Sequence, residues 1–140
     1  SNNYGIGQYP EKLIPKTIQY TLEGKKMTVH GDGSYSREWT YAGDNCEGIL
    51  LAMEKGEVGE IYNISSGEMY TNLEIVKAVL RHLGKPEDFF EFVENRVGQD
   101  IRYSVETDKI EALGWKPKTK LGEYLPQFTG WYSEQYKSDS

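Results

Sequence analysis

Two arginines carry the clearest chemical potential in this sequence. Arg37 sits between Ser36 and Glu38-Trp39, in a segment dense in glycine and aromatic residues, and Arg96 sits in Asn95-Arg96-Val97-Gly98-Gln99-Asp100. A guanidinium is a planar fork that makes paired, charge-assisted hydrogen bonds to phosphate or diphosphate oxygens. Each arginine also reads as a surface cation paired with a nearby acid, and spacing alone leaves both readings open. The opening tract, SNNYGIGQYPEKLIP, is loaded with turn residues and amides. Asn accepts turn conformations, Gly5 and Gly7 allow a close-fitting loop, and Pro10 suits a first helical turn. Such a tract is expected to lie on a ligand. It starts at Ser1 with no methionine and no element before it, so the chain is expected to be a piece of a longer protein, cut just before or inside a binding loop.

Other chemistries find less support. Gly5-Ile6-Gly7 and Gly31-Asp32-Gly33 lack the strand, glycine turn and capped helix that cradle a dinucleotide pyrophosphate. His30 and His82 have no carboxylate or thiol at metal-ligand spacing, so no metal site is expected. No Ser-His-Asp arrangement can be argued, and no catalytic residue is assigned. Lys12 reads as a solvent-facing helix residue unless the adjoining loop binds a ligand, and Asn72 as a polar residue of a first helical turn. Trp39, Trp115 and Trp131 read as core or interface anchors.

The totals bound the answer. At 140 residues the chain is one domain at most. Its hydrophobic fraction of 37% approaches the soluble average once the 15 glycines are added. A net charge of -6 argues against a nucleic-acid binder, which shows a basic face. The single cysteine, Cys46, excludes an internal disulfide framework and fits a cytoplasmic protein. No apolar run reaches the length of about 18 residues that a membrane span needs.

The elements that must position these residues follow from periodicity. Leu13, Ile14, Ile18 and Leu22 predict a helix over Pro10–Leu22, kinked or delayed at Pro15. Lys26–His30 alternates as a strand, and Arg37, Trp39 and Tyr41 at period two allow another. Asp44 with Glu47 predicts a capped helix ending near Gly56, with Cys46, Ile49, Leu50 and Met53 as its buried stripe. Glu60–Ile64 predicts a strand. Thr71 and Glu74 form a capping box for a helix with Ile75, Val76, Val79, Leu80 and Leu83 inward, closed by Gly84. Phe89–Val93 predicts a strand, Arg96–Tyr103 a polar loop, and Thr107 the cap of a short helix before Gly114. Leu121, Leu125, Phe128, Trp131, Tyr132 and Tyr136 mark a final helix. Short strands alternating with helices give an α/β layer, thin for so many helices.

Taken together the segments resemble the C-terminal part of the nucleotide-sugar 4,6-dehydratases, the dTDP-glucose 4,6-dehydratase family of the extended short-chain dehydrogenase/reductase superfamily. The resemblance runs through Asn2-Asn3-Tyr4-Gly5, Tyr9-Pro10-Glu11-Lys12-Leu13-Ile14-Pro15, His30-Gly31-Asp32-Gly33 and Arg37-Glu38-Trp39. It continues through Tyr62-Asn63-Ile64, Thr71-Asn72-Leu73-Glu74, Arg96-Val97-Gly98-Gln99-Asp100 and Leu113-Gly114-Trp115-Lys116-Pro117. It implies that residues 1–140 are a small mixed α/β substrate-binding domain, with residues 1–9 a hinge and binding loop from a Rossmann domain absent from this chain. It implies substrate contacts by Asn2, Lys12, Leu13, Thr28, Val29, His30, Arg37, Asn72, Arg96 and Gln99. Asn3 falls near the nicotinamide end of NAD.

In that family NAD oxidises C4 of the hexose, water leaves across C5–C6, and hydride returns to C6, converting dTDP-glucose to dTDP-4-keto-6-deoxyglucose. The groups for those steps precede the matched region. The chain alone is therefore expected to be inactive and to bind no NAD, and its partners to be a dTDP- or UDP-sugar and the missing Rossmann half of a homodimeric parent. Four positions depart from the pattern: Ile6-Gly7 replaces a Pro-aromatic pair, His30 a tyrosine, Asn95 an Asp and Gln99 a His. The alternatives are a UDP-sugar 4-epimerase, a UDP-glucuronate decarboxylase, or a non-catalytic binding module.

Overall fold

The computed structural model describes residues 2–7, 12–31, 33, 36–94 and 106–139. The elements run β1 (Asn2–Tyr4), α1 (Leu13–Leu22), β2 (Met27–His30), β3 (Ser36–Tyr41), α2 (Ala42–Lys55), β4 (Met69–Thr71), α3 (Asn72–His82), β5 (Phe90–Val93), α4 (Asp108–Ala112) and α5 (Leu121–Asp139). They form a small α/β domain with two sheets, ordered β1-β3-β4 and β2-β5. β1 lies parallel to β3 with Asn3 opposite Thr40, β3 runs antiparallel to β4 with Arg37 opposite Tyr70, and β2 lies parallel to β5.

The opening tract is thus partly a strand, and Tyr4 is drawn into the core. Its start as a helix at Pro10 and Glu11 falls outside the described residues. Within α1, Pro15 is the third residue, inside the first turn where no intrahelical N–H is required, so it neither delays nor breaks the helix. The Thr71 cap forms as predicted, with Thr71 Oγ accepting from the Glu74 N–H at 3.1 Å, while Glu74 Oε1 takes the Thr71 hydroxyl at 3.2 Å.

The apolar faces of α1, α3 and α5 meet each other and the first sheet, joining Ile14, Ile18, Trp39, Ile75, Leu125 and Phe128 in one core. A smaller cluster of Met27, Val29, Val76 and Leu80 sits under β2, and Leu13 packs against both. An aromatic chain runs along the first core, with Tyr41 and Tyr124 centroids 4.8 Å apart and Tyr124 5.6 Å from Phe128.

Tyr4 belongs to this chain of rings, is 1% exposed, and its hydroxyl has no hydrogen-bond partner among the described residues. Burial, then the nearby Glu68 and Asp44 carboxylates, push its phenol well above the ordinary tyrosine value. Burial also raises Tyr41 and Tyr70. A phenol whose folded pKa lies above its unfolded value holds its stability below about pH 10 and loses it as pH climbs toward the folded value. Urea unfolding between about pH 10 and 12 is expected to show stability falling by up to about 1.4 kcal/mol per pH unit from Tyr4. Tyr4→Phe is expected to flatten that slope.

Two predictions about the middle of the chain are corrected. First, α2 begins at Ala42 behind Tyr41, so Asp44 is a first-turn residue and not the cap. Its buried carboxylate instead accepts from the N–H groups of Lys118 and Thr119, both at 2.9 Å, while its carbonyl accepts from Trp115 Nε1 at 2.9 Å. The inward face of α2 therefore carries Asp44 and Gly48, and a Cβ at position 48 would come within 2.9 Å of Ile64 and 3.1 Å of Trp115 Nε1. The predicted stripe of Cys46, Ile49, Leu50 and Met53 points outward and is exposed. Second, Glu60–Ile64 pairs with no strand of the described residues, while the short Met69–Thr71 forms β4. Pleating alone cannot make a strand where no neighbour offers a ladder.

Candidate functional site

A cavity of 190 Å³ opens between the start of α1, the length of β2 and the start of α3. Its lining includes Leu13, Lys16, Thr28, Val29, His30 and Asn72, with Met27 at its floor. Each element is positioned for a local reason. β2 presents Met27 and Val29 to the core, which turns Thr28 and His30 to the other side of the strand. The Thr71 box fixes the start of α3, so Asn72 stands at its first turn, where unpaired backbone N–H groups favour an anion. Gly33, at φ 74°, is held against α3, since a Cβ there would meet Leu73 at 2.8 Å and Val29 at 3.0 Å.

The polar groups that line this cavity are Lys16, Thr28, His30 and Asn72. Lys16 reaches in from α1 with its ammonium 5.5 Å from the centre of the Tyr20 ring. His30 donates through Nδ1 to the Glu94 carbonyl at 3.3 Å, a carbonyl being only an acceptor. Arg37 lies on β3 with Ser36 opposite Thr71, which brings it to the same β4–α3 junction that carries Asn72. Arg37 is half-buried and makes no ion pair among the described residues. A half-buried guanidinium with no carboxylate partner among the described residues, a helix N-terminus and an amide side chain together suit an anionic linker.

Of the residues singled out in the sequence, Leu13, Thr28, Val29, His30 and Asn72 line one cavity. Lys12 is exposed at the start of α1, and Arg37 stands at the β4–α3 junction, outside the cavity lining. Asn2 and Asn3 lie on β1, paired in register with Trp39 and Thr40, with Asn3 exposed. Arg96 and Gln99 fall outside the described residues. Lys16 and Met27 were missed. Lys16 follows Leu13 by three residues and so shares its helix face, a signal present in the spacing. A second, larger groove of 440 Å³ runs between α1 and α5, lined by Pro15, Ile18, Trp131, Tyr132 and their neighbours. Its wall is mostly apolar and it gathers no cation, so the smaller cavity is the better site for a charged ligand.

A dinucleotide fits less well. Gly5 and Gly7 do follow a parallel strand, but α1 begins only at Leu13, behind a Lys12 that supplies no side-chain cap. The described residues therefore lack the glycine turn opening directly into a helix N-terminus that a pyrophosphate cofactor needs.

The chain is 44% identical over 131 residues to the low-salt glycan biosynthesis protein Agl12 of Haloferax volcanii, covering 94% of this chain and 42% of that protein. Among solved structures it superposes with TM-score 0.91 and 39% identity on DesIV, the dTDP-glucose 4,6-dehydratase of Streptomyces venezuelae with NAD bound, covering 98% of this chain and 43% of that one. It also resembles the UDP-glucose 4-epimerase of Thermotoga maritima in its structure with UDP-glucose, at TM-score 0.86 and 28% identity, covering 96% of this chain and 44% of that one. The chain thus spans less than half the length of the relatives it matches. Since residues 1–128 match the family model described as GDP-mannose 4,6 dehydratase, the chain belongs to that family.

Proposed function

We propose that this chain is the sugar-nucleotide-binding domain of an NAD-dependent nucleotide-sugar 4,6-dehydratase, a lyase that converts dTDP-glucose or a UDP-sugar to its 4-keto-6-deoxy form and water. The observation that carries the reading is the convergence of Leu13, Thr28, Val29, His30 and Asn72, from three separate elements, on one cavity. β2 and the start of α1 take the base and ribose. Arg37, Lys16 and the first turn of α3 take the diphosphate, and Lys12, Arg96, Gln99 and Asn2 complete the substrate contacts. Asn3, in the stretch of residues 1–9 that joins the two halves, faces NAD held by the other half. NAD supplies the hydride acceptor when bound, and this domain holds the hexose in place for that chemistry.

The same reading carries with it a homodimeric parent enzyme in the cytoplasm, working on a small nucleotide-sugar and not on nucleic acid or membrane. No helix of the described residues is long and apolar enough to cross a membrane. The likeness to a 4-epimerase in its structure with UDP-glucose keeps a sibling activity as the second reading.

Calorimetric titration with dTDP-glucose and UDP-glucose tests the reading. Binding is expected, and Arg37→Ala is expected to weaken it by about 10- to 100-fold, the worth of one or two charge-assisted hydrogen bonds. An affinity indifferent to Arg37 would sink the assignment of the diphosphate.

A further inference from the structure

Gly5, Ile6 and Gly7, which follow β1, each meet a different tyrosine. Gly5 lies beside the Tyr41 ring, since a Cβ built there would stand 3.6 Å from the ring's Cε1 atom. The Ile6 N–H donates to the Tyr124 hydroxyl at 3.2 Å, across 118 positions of sequence. The Tyr132 hydroxyl is hydrogen-bonded to the backbone of Gly7. Tyr124 and Tyr132 fall in one stripe of α5, two turns apart. Tyr41 closes the set: its ring centre is 4.8 Å from that of Tyr124, and the two side chains are hydrogen-bonded.

β1 has little else to hold it. It is three residues long and stands at the edge of its sheet, with a ladder to β3 alone. Chain starts on a single short ladder fray first. Orientation of a substrate asks the opposite, since a displacement of about 1 Å can cost about 100-fold in rate. Asn2 and Asn3 both lie on β1, so the backbone that carries them needs a further hold. α5 supplies one, because it is docked in the core through Leu125 and Phe128. Ring packing there needs no oxygen: Phe128 sits between Tyr124 and Tyr132, within 5.6 Å and 5.1 Å of their ring centres, and has none. The oxygens of Tyr124 and Tyr132 find their partners in the loop instead.

We propose that Tyr124 and Tyr132 are positioning residues: their hydroxyls hold the backbone of Ile6 and Gly7, with Tyr41 beside Gly5, and so fix β1 where Asn2 keeps its contact with the sugar nucleotide. This rests on the sugar-nucleotide reading above. It adds how α5, to which that reading gives no substrate contact, takes part in binding.

The test uses the 140-residue chain and Tyr→Phe changes, which remove the hydroxyl and keep the ring. Tyr124→Phe with Tyr132→Phe is expected to leave the urea midpoint nearly unchanged. Both rings stay in the core, and the freed groups reach water, Ile6 being 43% exposed and Gly7 exposed. Amide hydrogen exchange at Ile6 and Gly7, read without ligand, is expected to quicken by about 10-fold. In calorimetric titration with dTDP-glucose, the double variant and Asn2→Ala are each expected to bind about 2- to 10-fold more weakly, the worth of one neutral hydrogen bond. Adding Asn2→Ala to the double variant is expected to cost no further affinity, because the tyrosines act through β1. If the double variant does not fold, Tyr124→Phe alone carries the same test, freeing Ile6 and leaving Gly7 protected. Unchanged exchange, an Asn2→Ala variant that binds normally, or losses that multiply overturn the positioning role. An unaltered chain that does not bind dTDP-glucose overturns the sugar-nucleotide reading and the positioning role with it, whereas binding with multiplied losses overturns the positioning role alone.

Discussion

Phe128→Ala is expected to lower the unfolding free energy by about 3–5 kcal/mol, measured by urea denaturation with the slope unchanged. Phe128 is fully buried on α5, with its ring 5.6 Å from Tyr124 and 5.1 Å from Tyr132. It stands where α5 meets α1, α3 and the first sheet, among Ile14, Ile18, Ile75 and Leu125. Its removal takes away the apolar transfer energy of the ring and leaves a void that three helices and a strand cannot all close together. Phe128→Leu keeps most of the volume and is expected to lose less than half as much. A loss under about 1 kcal/mol for the alanine variant would mean that α5 is not docked as described.

Asp44→Ala is expected to cost about 3 kcal/mol by a different mechanism. The carboxylate is buried and joins α2 to residues 115–119, far away in sequence, through the N–H groups of Lys118 and Thr119. Those N–H groups precede α5, so Asp44 fixes where that helix sets out. Alanine would leave two backbone donors without their acceptor, and hydrogen bonds to a charged group are worth about 1.5–3 kcal/mol each. Asp44→Asn keeps an oxygen acceptor and is expected to recover about half of the loss. If Asn and Ala proved equally damaging, the charge and not the acceptor geometry would be the main contribution.

The parts legible in the sequence were those whose signal is local. The Thr71–Glu74 box, the α1 and α3 stripes, the final helix and β2 all follow from spacing and caps, and each appears in the structure. The Asp44 prediction failed because a good capping residue was needed elsewhere, and its acceptors' partners lie more than 70 residues away. The α2 stripe was read correctly as an apolar face and wrongly as buried in this domain. Periodicity reports that a face is apolar, whereas what covers it depends on surfaces that the chain's own core does not use. The same holds for Glu60–Ile64, whose strand pattern needs a neighbour to become a strand.

The site divides along the same line. Residues on β2 and at the start of α3 came together because regular elements carry them, and no motif in the sequence predicts the cavity between them. Lys16 was overlooked because a lysine on a helix is ordinarily a solvated residue, and only the cavity beside β2 gives it another use. Arg37 remained ambiguous in the sequence for want of knowing its neighbours. Its position beside the β4–α3 junction, without an acid partner among the described residues, favours the anion reading.

The most direct test of the binding account is a titration of the isotopically labelled chain with UDP, followed by amide chemical shifts residue by residue. The account predicts saturable shifts centred on Leu13–Lys16, Thr28–His30, Arg37 and Asn72–Leu73, with uridine alone giving the β2 shifts at much weaker affinity. Shifts confined to the groove of Trp131 and Tyr132, or none at millimolar UDP, would contradict it.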